Sequence, residues 1–163
     1  MIVLGIDPGS RVTGFALVTK TGGRFRLIEA GVVRSDTKAP IPTRLLQIHQ
    51  GLSTVIDRSN ADTAAIEAIF RHKSSESALR LGQARGVALL ALAQRNLEVS
   101  DYNPMTVKKS IGGTGRAGKK EVTRIVSRLL GLKEDLQSDA ADAAAIAMTH
   151  LLHSSFQNSL RKI

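Results

Sequence analysis

The sequence predicts an α/β protein: a five-stranded mixed sheet with helices on both faces. Three observations predict it. Three apolar, β-branched runs follow one another within the first 35 residues, separated only by turns. Two further strand-like runs then alternate with segments of helical periodicity, and the remainder of the chain reads as helix. A meander followed by alternation gives antiparallel pairing on one side of a sheet and crossover connections on the other.

The elements follow in order. MIVLGID is an apolar run that reads as a buried strand ending at Asp7, and PGSR turns the chain. VTGFALVTK is a second strand, TGG a tight turn and RFRLIEAGVVRS a third strand. Residues Thr43 to Ser59 place Leu45, Leu46, Ile48, Leu52, Val55 and Ile56 at helical spacing. ADTAAIEAIF is a fourth strand carrying Glu67 at its end. A long helix follows, ESALRLGQARGVALLALAQRN, with Ser75 as its N-cap. LEVSDY is the fifth strand. NPMTVKKSI is a short helix, GGTGRAG a glycine-rich loop and KKEVTRIVSRLLGL an amphipathic helix. The last helix opens with SDAADAAAIA, capped by Ser138. The polar, basic end of the chain, residues 154–163, reads as a loose tail on one domain spanning 1–163.

At 163 residues and 42% hydrophobic content the chain can bury a core, and with 3% aromatic residues that core must be aliphatic and alanine-rich. No run approaches the roughly 20 apolar residues of a membrane span, and the apolar start meets Asp7 too soon for a signal peptide. The expectation is a cytoplasmic protein without a membrane partner. There is no Cys, which excludes disulfides and thiolate metal sites. The formal charge of +9 points to a polyanionic partner such as nucleic acid.

The candidate site is acidic. Asp139 and Asp142 stand three apart at the start of the alanine-rich helix, which puts them on one face. The macrodipole favours an acid at a helix N-terminus and helps keep the pair ionised. It does not explain two acids side by side among Ala140, Ala141, Ala143, Ala144 and Ala145. Asp7 and Glu67 each end an apolar strand. If the first and fourth strands are neighbours, all four acids can converge, and they then repel unless cations neutralise them. An oxygen-only donor set suits Mg²⁺ or Mn²⁺ rather than Zn²⁺. A pair of such ions about 3.5–4 Å apart can clamp the attacking and leaving oxygens of a phosphodiester. A basic protein with an acidic metal cluster suggests a nuclease.

GIDPGSRVTGFALV, EAIF, SALRLGQARG, YNPMTVKKSIGGTGRAGKKEV and SDAADAAAIA together resemble the RuvC family of bacterial Holliday-junction resolvases, in order over residues 1–150. The resemblance implies a ribonuclease-H-like fold, a homodimer and Mg²⁺-dependent cutting of two opposed strands of four-way junction DNA, with Mn²⁺ able to substitute. It carries catalytic metal ligands onto Asp7, Glu67, Asp139 and Asp142, two ions to a site. It implies a branch-migration helicase complex as a further partner. The chain departs from the family pattern at Ser74, where Asn is usual, and at Gly118, where an acid often precedes the lysine.

GTGRAGKK nearly matches a phosphate-binding loop of nucleotide hydrolases, but Lys120 stands where Ser or Thr would hold Mg²⁺, and no buried strand precedes it. A basic, glycine-rich loop suits DNA phosphate better, which makes Arg116, Lys119 and Lys120 candidate contacts, with Lys108 beside them. The resemblance places Lys108 and Lys119 near the scissile phosphate and gives Lys119 a catalytic part. Phe70 with Arg71, His72 and Lys73 looks like an exposed aromatic among cations, suited to stacking on unpaired bases, and Arg71 and Lys73 are further DNA candidates. Gly82 and Gly86, one helical turn apart, permit close packing, which the resemblance assigns to a dimer interface. A nuclease acting on another structured substrate and a non-cutting binder of branched DNA are the competing functions; the second would be expected to lack an acid, and all four are present.

Overall fold

The computed structural model describes residues 1–68, 75–112 and 118–160, the segment 155–160 by its backbone alone. Five strands form one sheet in the order β3-β2-β1-β4-β5. Strands β1 (Ile2–Asp7), β2 (Val12–Thr21) and β3 (Arg24–Arg34) make the antiparallel meander. Gly22 and Gly23 turn the chain between β2 and β3 with φ of 56° and 79°. A two-residue hairpin loop with both φ positive needs such residues. Strands β4 (Thr63–Glu67) and β5 (Val99–Tyr102) add in parallel beyond β1, so β1 and β4 are neighbours as the site requires.

Helices α1 (Ile41–Arg58) and α2 (Ser75–Ala93) cover one face of the sheet. Helices α3 (Pro104–Gly112), α4 (Lys119–Leu129) and α5 (Ser138–Leu160) cover the other. The two cores divide the strands by parity. Leu4, Ile6, Ala64 and Ile66 meet α1 and α2, whereas Val3 and Ala65 meet α5. Successive strand side chains alternate between faces, so Asp7 and Glu67, in phase with Val3 and Ala65, are directed to the α5 side.

Helix α5 lies closer to the sheet than ordinary side chains allow. A Cβ on Gly5 would overlap the Ala143 carbonyl oxygen, and one on Gly14 would overlap that of Asp139. Ala140, Ala141, Ala143, Ala144, Ala145 and Ala147 of this helix are all buried. Alanine on the helix and glycine on β1 and β2 therefore let the two backbones meet. A glycine inside a strand often marks such an approach.

Three boundaries differ from the sequence reading. The carbonyl of Gln137 accepts from the Ala141 amide at 2.9 Å, so the helical bonding begins at Gln137 and Ser138 already lies within α5 rather than capping it. Ser75 likewise lies within α2. Helix α5 runs on through 154–160, where a loose tail was expected.

Candidate metal centre

Asp7, at the end of β1, pairs across the sheet with Gly14 of β2. One step beyond the last β1–β4 register pair, Ile6 with Ile66, stands Glu67. Asp139 sits directly over Gly14, because that glycine receives its carbonyl. The seam thus delivers the α5 acids to the strand end that carries Asp7. Asp7, Asp139 and Asp142 each offer a carboxylate oxygen within 4.8 Å of the others. Glu67 stands outside that trio. It lines the adjoining cleft, of about 160 Å³, with Lys108, Lys119 and Asp142, over an apolar floor that includes Val107 and Ile146.

The electrostatics follow from burial. Desolvation first, and then the charges of Glu67 and Asp142, push Asp7 up from 3.8 to about 8. Of the three acids facing Asp7, Glu67 contributes most. Burial also raises Asp142, although Lys119 and Lys108 act to lower it. The macrodipole was expected to keep these acids ionised; for Asp142 loss of solvent outweighs every favourable partner. Lys119 Nζ lies 2.9 Å from Asp142 and 3.9 Å from Asp139. Burial works against its charge, but the bond to Asp142 and the charges of Asp142, Asp139 and Asp7 hold it above its ordinary value. Lys119 reaches Asp142 and Asp139 of the trio, which leaves the three carboxylates of Asp7, Asp139 and Asp142 short of positive charge. An oxygen-only cluster short of positive charge fits a hard divalent cation.

Several supports were not singled out in the sequence. Thr13, fully buried, accepts from the Gly9 amide at 3.3 Å and donates to its carbonyl at 3.0 Å, bracing the loop after Asp7. The buried Arg44 donates to the Ser10 carbonyl, and Ser35 donates to the same oxygen at 2.9 Å. Arg85 of α2 donates to the Glu67 carbonyl at 3.1 Å and to Asp101 at 2.6 Å, fixing the end of β4. Gly5 and Gly14 were the only ones of these with a sequence signal, as isolated glycines inside strands.

Of the DNA candidates, Lys108 and Lys119 reach the cleft, and Lys120 is exposed beside it on α4. Phe70, Arg71, Lys73 and Arg116 lie outside the described residues, as does Ser74. Gly86 has open space where a Cβ would stand, with the exposed Leu79 and Leu90 on the same helix; Gly82 is half-buried. His150 bonds the Tyr102 hydroxyl through Nδ1 at 3.1 Å, two turns along α5 from the acids, and completes no metal site there.

A mixed sheet of this order, with carboxylates from its central strands and from the covering helix gathered at one end, defines a ribonuclease-H-like protein with a nuclease-type acidic site. The chain belongs to the RuvC family: the family model described as crossover junction endodeoxyribonuclease RuvC matches residues 3–150. It is 46% identical over 160 residues to a crossover junction endodeoxyribonuclease RuvC of Histophilus somni (strain 129Pt), covering 98% of this chain and 83% of that relative. It is 42% identical over 163 residues to that of Geobacter sulfurreducens, covering 100% and 99%. Among solved structures it superimposes on T. thermophilus RuvC in complex with Holliday junction substrate with a TM-score of 0.90, at 36% identity over 96% of each chain. No described helix is long and apolar enough to cross a membrane.

Proposed function

We propose that this chain resolves four-way DNA junctions by paired nicks in two opposed strands, with Mg²⁺ held by Asp7, Asp139, Asp142 and Glu67. The observation that carries the reading is the trio of carboxylates within 4.8 Å, neutralised only in part by Lys119, at the strand ends of a RuvC-family sheet. A relative at TM-score 0.90 is described in complex with Holliday junction substrate. Bound Mg²⁺ supplies a Lewis acid and a lowered water pKa. Asp7 feels the charges of Glu67 on β4 and of Asp142 and Asp139 on α5, so the four acids together would hold as many as two ions, and Mn²⁺ has the same oxygen preference.

The chain's own groups do the rest. Lys119 and Lys108 bring positive charge to the cleft wall opposite Glu67, where a phosphate would enter. With a divalent cation held by the carboxylates, the Lys119 ammonium would be free to meet charge developing on the cut phosphodiester. Arg71, Lys73, Arg116 and Lys120 add phosphate contacts, and Phe70 stacks on a base at the junction centre. The face of α2 bearing Leu79, Gly86 and Leu90, with Gly82 beside it, pairs two copies so that two strands are cut. Such a protein works in the cytoplasm with chromosomal DNA, in recombination and repair, alongside a branch-migration helicase complex.

The test is a synthetic mobile four-way junction incubated with the protein, with and without Mg²⁺, and read on a denaturing gel. Paired, symmetric, Mg²⁺-dependent nicks are expected. Cleavage without divalent metal, or equal cutting of plain duplex, would overturn the reading.

A further inference from the structure

Helix α4 opens with two lysines, although a helix N-terminus disfavours cations. Lys119 is accounted for by the acids it faces. Lys120 is not. It begins a row, Lys120, Arg124 and Arg128, at i, i+4 and i+8, and all three are exposed. The opposite side of the helix, through Val122, Val126 and Leu130, is buried in the core. At 1.5 Å per residue the row runs about 12 Å away from the cleft.

Among the described residues the row has no acid partner. Four arginines elsewhere are matched, Arg58 with Glu29, Arg80 with Glu76, Arg85 with Asp101 and Arg95 with Asp57, whereas the exposed Arg11, Arg24, Arg26 and Arg34 share with the row the lack of an acid within 4.0 Å among the described residues. Among the described residues no acid comes within 4.0 Å of Lys120, Arg124 or Arg128, and Glu121 on the same helix pairs with none of them. Successive members stand about 6 Å apart along the axis.

We infer that the α4 row Lys120–Arg124–Arg128 is a track for the phosphate backbone of a duplex arm leading away from the cut. The charge fits a polyanion, and the row is continuous with the cleft through Lys119. This rests on the junction-resolving reading above and adds to it two residues, Arg124 and Arg128, that lie outside the cleft. The track supplies affinity for any duplex, not junction selectivity, because phosphate contacts carry no sequence or branch information.

The experiment uses Arg124→Gln/Arg128→Gln and the charge-keeping Arg124→Lys/Arg128→Lys. Binding to a long-armed junction and to plain duplex is measured over a salt series in Mg²⁺-free buffer. Losing two phosphate contacts should lower the slope of log K against log salt by about 1.8, at about 0.9 per contact. Junction and duplex should weaken by the same factor, and the lysine pair should restore the slope. An unchanged slope in the glutamine pair overturns the track, as does a loss confined to the junction. If the parent fails to prefer junction over duplex, the resolvase reading fails instead, and the duplex slopes still decide the track.

Discussion

Lys119 hydrogen-bonds Asp142 at 2.9 Å, so the chain's own ammonium stands among the carboxylates that would hold a metal. It is at once a stand-in counter-ion and a competitor. Lys119→Ala should therefore bind Mg²⁺ more tightly in the absence of DNA, because no internal charge need be displaced. The same variant should cut more slowly, since removing a group that stabilises developing charge costs on the order of 10²–10³ in rate. Calorimetric Mg²⁺ titration beside single-turnover cleavage at saturating protein reads both. Weaker metal binding with an unchanged rate would return Lys119 to the solvated surface.

Asp139→Asn and Asp142→Asn should each retain junction binding and lose cleavage. Groups that only orient a ligand already cost about 10–100-fold in affinity or activity, so a direct ligand should cost at least that. Removing a negative charge beside phosphate should leave binding equal or tighter. Near-normal cutting by either variant at saturating Mg²⁺ rejects the ligand assignment.

Asp7 gives the metal-free protein a pH dependence of definite sign. Folded, it keeps its proton up to about 8; unfolded, it ionises near 3.8. Between those values the folded state binds more protons, so stability falls as pH rises through the window and levels off above it. Thermal melts in chelator should show the decline, and Asp7→Asn should make it shallower, the remaining slope belonging to Asp142, which burial also raises. Because a divalent cation bound there would take the place of that proton, metal affinity should climb with pH until about 8. A parent and variant that decline in parallel would remove Asp7 as the source.

Gly14→Ala should displace the start of α5, since its new methyl meets the Asp139 carbonyl. Overpacking costs about 1–3 kcal/mol in a tight core. The loss of cleavage should exceed what the lowered melting temperature explains, because Asp139 and Asp142 move with the helix while Asp7 stays on the sheet. The Mg²⁺ concentration for half-maximal cleavage, measured well below the melt, separates the two effects.

Much of this was legible in the sequence, for identifiable reasons. The strands declared themselves because Ile2 to Asp7 and Val12 to Thr21 are runs of β-branched and apolar residues ended by a polar one or a turn. Asp7, Glu67, Asp139 and Asp142 stood out because a carboxylate beside a buried run needs a partner. The adjacency of β1 and β4 was only a condition, because sequence does not fix strand order. The weight of desolvation on Asp142 was missed, because burial of a half-exposed carboxylate depends on how α4 and α5 close together. Arg44 and Arg85 were invisible, because nothing local distinguishes an arginine that braces a loop from one in solvent. The start of α5 fell a residue early, since Ser138 looks like a cap on its own and the Gln137 carbonyl bond is not written in the residue types.

At Gly5 and Gly14 the backbone of α5 meets the sheet with no side chain between them. The positions of Asp7 and Asp139 relative to each other are set by two main chains in van der Waals register, with only short side chains projecting from them. The disorder that separate ligands would lose on capturing an ion has already been given up when the chain folds. Ion capture should therefore proceed with little change in protein motion, and amide exchange along β1, β2 and the first turns of α5 should be almost the same with and without Mg²⁺. The cost of that readiness falls on the empty protein, which holds these groups at fixed distance with a proton on Asp7 and the Lys119 ammonium beside Asp139 and Asp142 in place of the ion.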